Sequence, residues 1–135
     1  MALQFSTAYR NALLDQLATT AGSSEVIKIF TGAVPANCAA ADSGTLLVEF
    51  DLAATSWSTA ASGAKTLADL TLTATAAGTG SAGYFRLYNT GATTAHMQGT
   101  VTATGGGGDM TVDNVSIANG QTVNITGFTL TAPGA

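Results

Sequence analysis

Short runs of β-branched and aromatic residues, bounded by clusters of glycine, alanine, serine and asparagine, dominate the chain after Gly22. Such runs with turn-rich spacers are typical of all-β sandwiches and barrels. The runs that we predict to be strands are EVIKIF (25–30), TLLVEFDL (45–52), KTLADLTLTAT (65–75), GYFRLYNT (83–90), AHMQGTVTA (95–103), DMTVDNVSI (109–117) and QTVNITGFTLTA (121–132). We therefore expect a mainly β fold.

The last of these runs changes the face on which its apolar residues lie. Val123 and Ile125 share one parity, whereas Phe128 and Leu130 have the other. A change of phase by one residue turns half of a strand inside out unless a β-bulge absorbs it. We predict a bulge or bend at Thr126–Gly127; the alternative is a strand that crosses between two sheets there.

One segment near the start of the chain, STAYRNALLDQLATTAG, has the composition and spacing of a helix. Ser6 or Thr7 is suited to the N-cap position, and Gly22 to the position that ends a helix. We predict a helix over residues 7–20, with residues 1–5 as an N-terminal arm.

The apolar residues of this helix form a narrow stripe. Tyr9, Leu13 and Leu17 are spaced i, i+4, i+8 and lie on one face. Such a stripe fits a helix at the edge of a sheet, and it fits equally well a helix that docks on a partner.

The size and composition of the chain indicate one domain that works in an assembly. A length of 135 residues suits a single domain, with the arm and helix in residues 1–22 and the β-sandwich in residues 23–135. Charged residues make up 9% of the chain, against about 25% in a typical soluble domain. A surface with so few charges suits a protein that is packed against neighbours.

The charge balance argues against several classes of partner. The net charge is −4, and lysine and arginine together number four, so no basic patch is expected to neutralise nucleic-acid phosphates.

The sequence also lacks targeting and membrane signals. The first residues, MALQFSTAYRNALLDQL, lack the pattern of a signal peptide. No apolar run reaches the length of a membrane-spanning helix. We expect neither a nucleic-acid partner nor a membrane partner.

Residues that carry catalysis or bind metals are scarce. His96 is the single histidine and Cys38 the single cysteine, so the usual ligands of zinc are lacking. Asp109, Asp113 and Asn114 offer oxygen atoms, but without the spacing of a calcium loop. With no nucleophile-elbow motif in the sequence, we expect no enzyme, no metal site and no cofactor.

The run Gly105–Gly108 raises the question of a phosphate-binding loop. A P-loop requires a lysine and a hydroxyl residue after its last glycine. Here Asp109 and Met110 follow, and the sequence beyond them alternates like a strand. We therefore predict a hairpin tip between two strands, with more glycine than a tight turn needs and hence mobile.

Four stretches taken together resemble a known family: ALQFSTAYRNALLDQLATTAG, IKIFTGAVPANCAAADSGTLL, GYFRLYNTGATTAHMQGTV and DMTVDNVSIANGQTVNITGFTLTA. The chain is similar to small structural proteins of tailed-bacteriophage virions, and most similar to capsid decoration, or cement, proteins. The resemblance implies a jelly-roll-like antiparallel β-sandwich on the capsid exterior. It implies no catalytic residue, because the family has no catalytic motif.

The resemblance also implies partners and a place. The partners would be the major capsid protein and further copies of the chain, as a dimer or trimer, in a virion made in the bacterial cytoplasm. We predict contacts by residues of the arm, the helix, the loops over residues 31–45 and 75–83, and the glycine run. These candidates are Phe5, Tyr9, Leu13, Leu17, Val34, Pro35, Gly105, Gly106, Gly107 and Gly108.

Two other functions stay open. A domain of the tail, baseplate or fibre has the same sequence character as a cement protein. A carbohydrate-binding module for attachment would need aromatic side chains that converge on one exposed face. Trp57, Tyr84 and Tyr88 are spread over different segments, which favours packing roles for these rings.

Overall fold

Strands account for most of the regular structure in the computed structural model, which describes residues 3–68 and 72–135. A helix, α1, precedes nine strands in these residues. The elements are α1 (Thr7–Ala21), β1 (Val26–Thr31), β2 (Leu46–Asp51), β3 (Ala64–Thr66), β4 (Thr73–Thr75), β5 (Gly80–Tyr88), β6 (Ala95–Ala103), β7 (Met110–Val112), β8 (Ser116–Ile117) and β9 (Thr122–Thr131). The prediction of a mainly β fold with an N-terminal helix is confirmed.

The strands form one connected sheet in the order β2-β1-β5-β6-β7-β9-β3, with β4 also paired to β9 and β8 to β5. β6 and β7 are parallel, whereas the other pairs in the described part of the chain are antiparallel. The sheet is therefore mixed, and the expectation of a wholly antiparallel arrangement is wrong. The cause is the link over residues 104–109, which returns the chain to the same strand direction.

The sheet curls into a half-barrel around its core. The N–H groups of Ala77 and Gly78, just after β4, donate to the carbonyl of Leu47 in β2 at 2.8 and 3.2 Å. These bonds bring the two ends of the sheet together, since β4 is paired to β9. The largest apolar side chains that are fully buried are Tyr84, Phe50, Phe85, Phe128, Ile27, Ile29, Leu47, Leu67, Leu87, Met110 and Ile125.

The last strand carries the predicted bulge. Thr111 of β7 pairs with Gly127, but the next residue, Val112, pairs with Ile125. Thr126 is therefore the extra residue, and Ile125 and Phe128 both face the core on either side of it. The predicted bulge at Thr126–Gly127 is confirmed, and β9 stays within one sheet.

The strand prediction for residues 65–75 differs from the structure. β3 ends at Thr66 and β4 begins at Thr73, and residues 69–71 lie outside the described part of the chain. The run over residues 109–117 is divided as well, because β7 ends at Val112 and β8 begins at Ser116.

Helix α1 begins at the predicted residue and ends at Ala21, one residue after the predicted end. The hydroxyl of Ser6 accepts a hydrogen bond from the N–H of Tyr9 at 3.2 Å, as an N-cap does. Gly22 ends the helix with a φ of 97°, in the left-handed region that favours glycine, and its N–H donates to Ala18.

The packed face of α1 is not the predicted stripe. Arg10 is buried and donates from Nε and Nη2 to the carbonyl of Ala132 at 3.1 and 2.8 Å. Asn11 accepts from the N–H of Gly63 at 2.8 Å. These polar contacts fix the rotation of the helix, and they leave Tyr9 and Leu13 on its outer side.

Candidate assembly surface

The large apolar side chains that are exposed in residues 3–68 and 72–135 all belong to the arm and the helix. Leu3 is 74% exposed, Tyr9 51% and Leu13 43%. Tyr9 and Leu13 are one helical turn apart on the same side. The ring of Phe5 packs on that of Tyr9, with 4.9 Å between the centroids. Leu3, Phe5, Tyr9 and Leu13 are called the apolar strip below.

The strip is held against the C-terminal segment of the chain. The N–H of Phe5 donates to the carbonyl of Gly134 at 2.8 Å. Gly134 has a φ of 81°, and the Phe5 ring occupies the space that a Cβ at this position would need. A larger residue at Gly134 would therefore displace the arm.

Leu17 does not belong to this surface. It is half-buried and packs against the core cluster, on the inner side of α1. Of the helix residues predicted as partner contacts, Tyr9 and Leu13 are exposed and Leu17 is turned inward. The hydrophobic pattern did not separate them, because the docking of Arg10 and Asn11 sets the rotation of the helix.

The loop over residues 32–45 is pinned to the outer face of the sheet by Arg86. The guanidinium is 2% exposed and donates to the carboxylate of Asp42 and the carbonyl of Ala40, both at 2.8 Å. It also donates to the carbonyl of Asn37 at 3.1 Å and to Oε1 of Gln98 at 3.0 Å. This set of bonds is called the Arg86 clamp.

Two tyrosines beside Arg86 reinforce the clamp. The hydroxyl of Tyr84 donates to the carbonyl of Ser43 at 2.6 Å, and the hydroxyl of Tyr88 donates to Asp42. Burial, together with the hydrogen bond to Asp42, raises the pKa of Tyr88 to about 12. The phenol therefore stays protonated and continues to donate across the physiological pH range.

Val34 and Pro35, two further predicted contacts, lie within this pinned loop. Both are half-buried, and the carbonyl of Pro35 accepts from Nε2 of Gln98 at 2.6 Å. The loop thus has a defined shape. It offers these two residues as a fixed surface and not as a flexible contact.

The glycine run does not form the predicted hairpin tip, because β6 and β7 on its two sides are parallel. The chain turns at Ala103–Gly106, where the N–H of Gly106 donates to Ala103 at 2.9 Å, and returns along β6. The N–H of Gly108 donates to Oγ1 of Thr102 at 3.0 Å.

Each of the four glycines has a conformational reason. Gly105 and Gly107 have φ values of 84° and 81°. A Cβ on Gly106 or Gly108 would come within 2.8 and 2.9 Å of the Thr102 side chain. The interpretation of surplus glycine is therefore wrong, since two positions need positive φ and two need close approach. The mobility of the loop stays a prediction.

A polar cavity of about 430 Å³ lies between α1 and the loop before β3. Glu25 and Trp57 line it, and Oε1 of Glu25 and Nε1 of Trp57 are buried without a hydrogen-bond partner among the described residues. Burial raises the pKa of Glu25. At the same cavity, Lys65 donates to Asp15 at 2.8 Å and so lowers the pKa of Asp15. Sequence reasoning missed this group.

The candidate calcium oxygens accept hydrogen bonds from main-chain and side-chain groups of neighbouring strands. Oδ2 of Asp109 accepts from the N–H and the hydroxyl of Thr100, both at 2.9 Å. Asp113 accepts from the side chain of Asn124 at 2.7 Å. Within the described ranges, no three His, Cys, Asp or Glu side chains meet in a metal-binding group.

Trp57, Tyr84 and Tyr88 do not form an exposed platform. Tyr84 and Tyr88 are buried, and Trp57 packs edge-on against Phe128 with 5.3 Å between the centroids.

The described helix is too short and too polar to span a membrane.

Comparison with protein-family models, with curated proteins and with solved structures found no match to this chain. We therefore base a function on the surfaces described above and on the resemblance of its sequence.

Proposed function

We propose that this chain is a structural virion protein that decorates the outside of a tailed-bacteriophage capsid and cements neighbouring major capsid subunits. The observation that carries the proposal is the apolar strip. A cluster of exposed apolar side chains marks an interaction site. The virion and the capsid come from the resemblance of the four sequence stretches.

The low charge of the chain supports an assembled protein. Charged residues make up 9% of it, which is a poor surface for a free monomer. A decoration protein is present in many copies, and many modest contacts acting together stabilise a lattice. The apolar strip, and the fixed loop around Val34 and Pro35, are the surfaces that we assign to the capsid. A jelly-roll-like topology and a homodimer or homotrimer belong to the same proposal.

A role in the tail, baseplate or fibre is the main alternative. The two roles differ in copy number, because a head decoration protein is present in hundreds of copies and a tail protein in small multiples of three or six. Quantitative mass spectrometry of intact particles distinguishes them. The carbohydrate-binding alternative gains no support from Tyr84 and Tyr88, which are both buried.

The test adds purified protein to undecorated capsids and measures their resistance to heat. We expect the wild-type chain to bind and to raise the temperature at which capsids release DNA. A variant with Tyr9→Ser and Leu13→Ser should bind more weakly. A control with Ala8→Ser and Ala12→Ser changes exposed helix positions outside the strip.

The two parts of the proposal fail in different ways. If the wild-type chain neither binds nor protects capsids, the decoration role is wrong. If wild type and the Tyr9/Leu13 variant protect equally, the decoration role stands and the strip is not the contact.

A further inference from the structure

The curled sheet has a gap between β6 and β9. The short strand β7 lies between them, paired to Val101–Ala103 on one side and to Ile125–Phe128 on the other. On the N-terminal side of Met110, where β7 begins, β6 covers residues 95–100 and β9 covers residues 129–131. No strand of the described residues lies between these two segments. Two strands that flank a third are about 9.6 Å apart. This gap is called the interstrand slot.

The β6 side of the slot presents unpaired main-chain groups. The N–H of Thr100 donates to Asp109 and therefore points away from β5. Because successive residues of a strand alternate, the N–H and carbonyl of Gln98 face the slot too. Within residues 3–68 and 72–135, no strand pairs with β6 on this side of Gln98, because β7 pairs only with Val101–Ala103.

The β9 side presents a matching set. Leu67 donates to the carbonyl of Phe128, and Ala132 donates to Gly63, so the even-numbered residues of β9 point toward β3. The N–H and carbonyl groups of Thr129 and Thr131 then face the slot by the same alternation. Both walls thus offer the hydrogen bonds that an added β-strand uses.

The floor of the slot is apolar. A cavity of about 390 Å³ opens here, and it is lined by Phe85 and Phe128 of the core, by Met97 and by Leu13 and Leu14 of α1. A strand in the slot would bury every second side chain on these residues. The chemistry of the occupant follows: an extended peptide with apolar side chains at alternate positions and no acidic group near Asp109.

We propose that the interstrand slot binds the N-terminal arm of a second copy of this chain, so that copies assemble by exchanging arms. Residues 3–5 alternate, with Leu3 and Phe5 on one side and Gln4 on the other, and they carry no charged side chain. Three extended residues span about 10 Å, which matches the three residues of β9 that wall the slot. Apolar contact and main-chain pairing thus select the same segment.

The position of the arm supports a second copy as its donor. Leu13 belongs to the apolar strip and also lines the slot, so the two surfaces are continuous. A copy that inserts its arm would cover Leu13 of its neighbour at the same time. In its own chain the described arm is held by the main-chain bond from Phe5 to Gly134 and by packing of the Phe5 ring on Tyr9 and Gly134, and an exchanged arm has to replace these contacts. This association does not depend on the capsid role.

The test uses two purified variants in a Cys38→Ser background, one with Gln4→Cys and the other with Thr129→Cys. Mixed under mild oxidation, they join only between copies. We expect a disulfide-linked heterodimer, because the side chains of Gln4 and Thr129 would share the outer face. The matched control replaces Thr129→Cys by Thr122→Cys, an exposed threonine of β9 outside the slot. Equal yields from the two cysteine positions would overturn the proposal.

A second measurement does not depend on disulfide geometry. Sedimentation equilibrium of the wild-type chain should show association that Leu3→Asp weakens about tenfold or more, since a carboxylate cannot enter an apolar slot without cost. Leu3 is exposed, so this variant keeps the fold. The exposed helix variant Thr19→Asp is the control. Arm exchange is refuted if the wild-type chain stays monomeric at millimolar concentration, or if Leu3→Asp leaves its association unchanged. Either result leaves the outcome of the capsid assay open.

Discussion

Replacement of Arg86 by methionine tests whether the clamp holds the long loop. Arg86→Met keeps a long side chain but removes the guanidinium, which makes five hydrogen bonds. Three of these go to carbonyls of Asn37 and Ala40 and to the carboxylate of Asp42 in the loop. The variant therefore removes the main link between the loop over residues 32–45 and the sheet.

The size of the effect follows from the burial of the ion pair. Breaking a buried pair costs about 3–5 kcal/mol when the remaining charge stays buried. The Asp42 side chain is 41% exposed, so water solvates it once Arg86 is gone. We therefore expect a loss below that range, of about 2–3 kcal/mol in the free energy of unfolding, from the lost hydrogen bonds of the charged guanidinium. Ser43 remains bonded to Tyr84, which keeps part of the loop in place.

Urea unfolding followed by tryptophan fluorescence measures this loss, and limited proteolysis reports the release of the loop. The control is Lys28→Met on the same face, whose ion pair with Glu49 is 3.5 Å long and partly exposed. That pair should contribute about 1 kcal/mol or less. The reasoning fails if Arg86→Met loses no more stability than Lys28→Met, or if the loop is cleaved no faster.

Three further changes test the core and the polar cavity. Phe128→Ala should lower the free energy of unfolding by about 3–5 kcal/mol in urea, because it empties a fully buried site. Burial raises the pKa of Glu25, so the folded state loses stability as the pH rises through that pKa. Glu25→Gln should therefore have a higher Tm than wild type at pH 7 but not near pH 4. Lys65 lowers the pKa of Asp15, so wild type loses stability as the pH falls below about 4. Asp15→Asn should lose less of its Tm over that acid range; equal losses would contradict the pairing.

The strands were predictable because apolar residues recur at alternate positions. β6 spans the predicted residues 95–103, and β1, β2 and β9 differ from prediction by a residue at their ends. The bulge at Thr126 was predictable as well, because the change of parity is visible in the sequence. These features depend on neighbouring residues alone.

The direction of β7 was not predictable in the same way. A short glycine-rich link between two strands normally joins an antiparallel hairpin, since parallel strands usually need a long crossover. Here the side chain of Thr102 binds the returning chain at Gly108, and Asp109 binds Thr100. Such contacts depend on three-dimensional packing, which the alternation of residues does not encode.

The Arg86 clamp and the docking of α1 were missed for a related reason. The clamp and the docking of α1 both use buried arginines, and a hydrophobicity pattern predicts arginines to be exposed. One signal was present for Arg86. It lies between Tyr84 and Tyr88 on one face of β5, and two aromatic residues beside an arginine indicate a face that is covered.

The tight return between β6 and β7 decides where a foreign peptide can be inserted for display. Its length over residues 104–109 sets the register of Met110 on Val101, so an added or deleted residue would turn a buried strand outward. The turn at Gly91, between β5 and β6, has open space around it, and the side chain of Asn89 ties its two ends together through the N–H groups of Thr93 and Thr94. Although the glycine run looks like the natural point for an insertion, the turn at Gly91 is the permissive one.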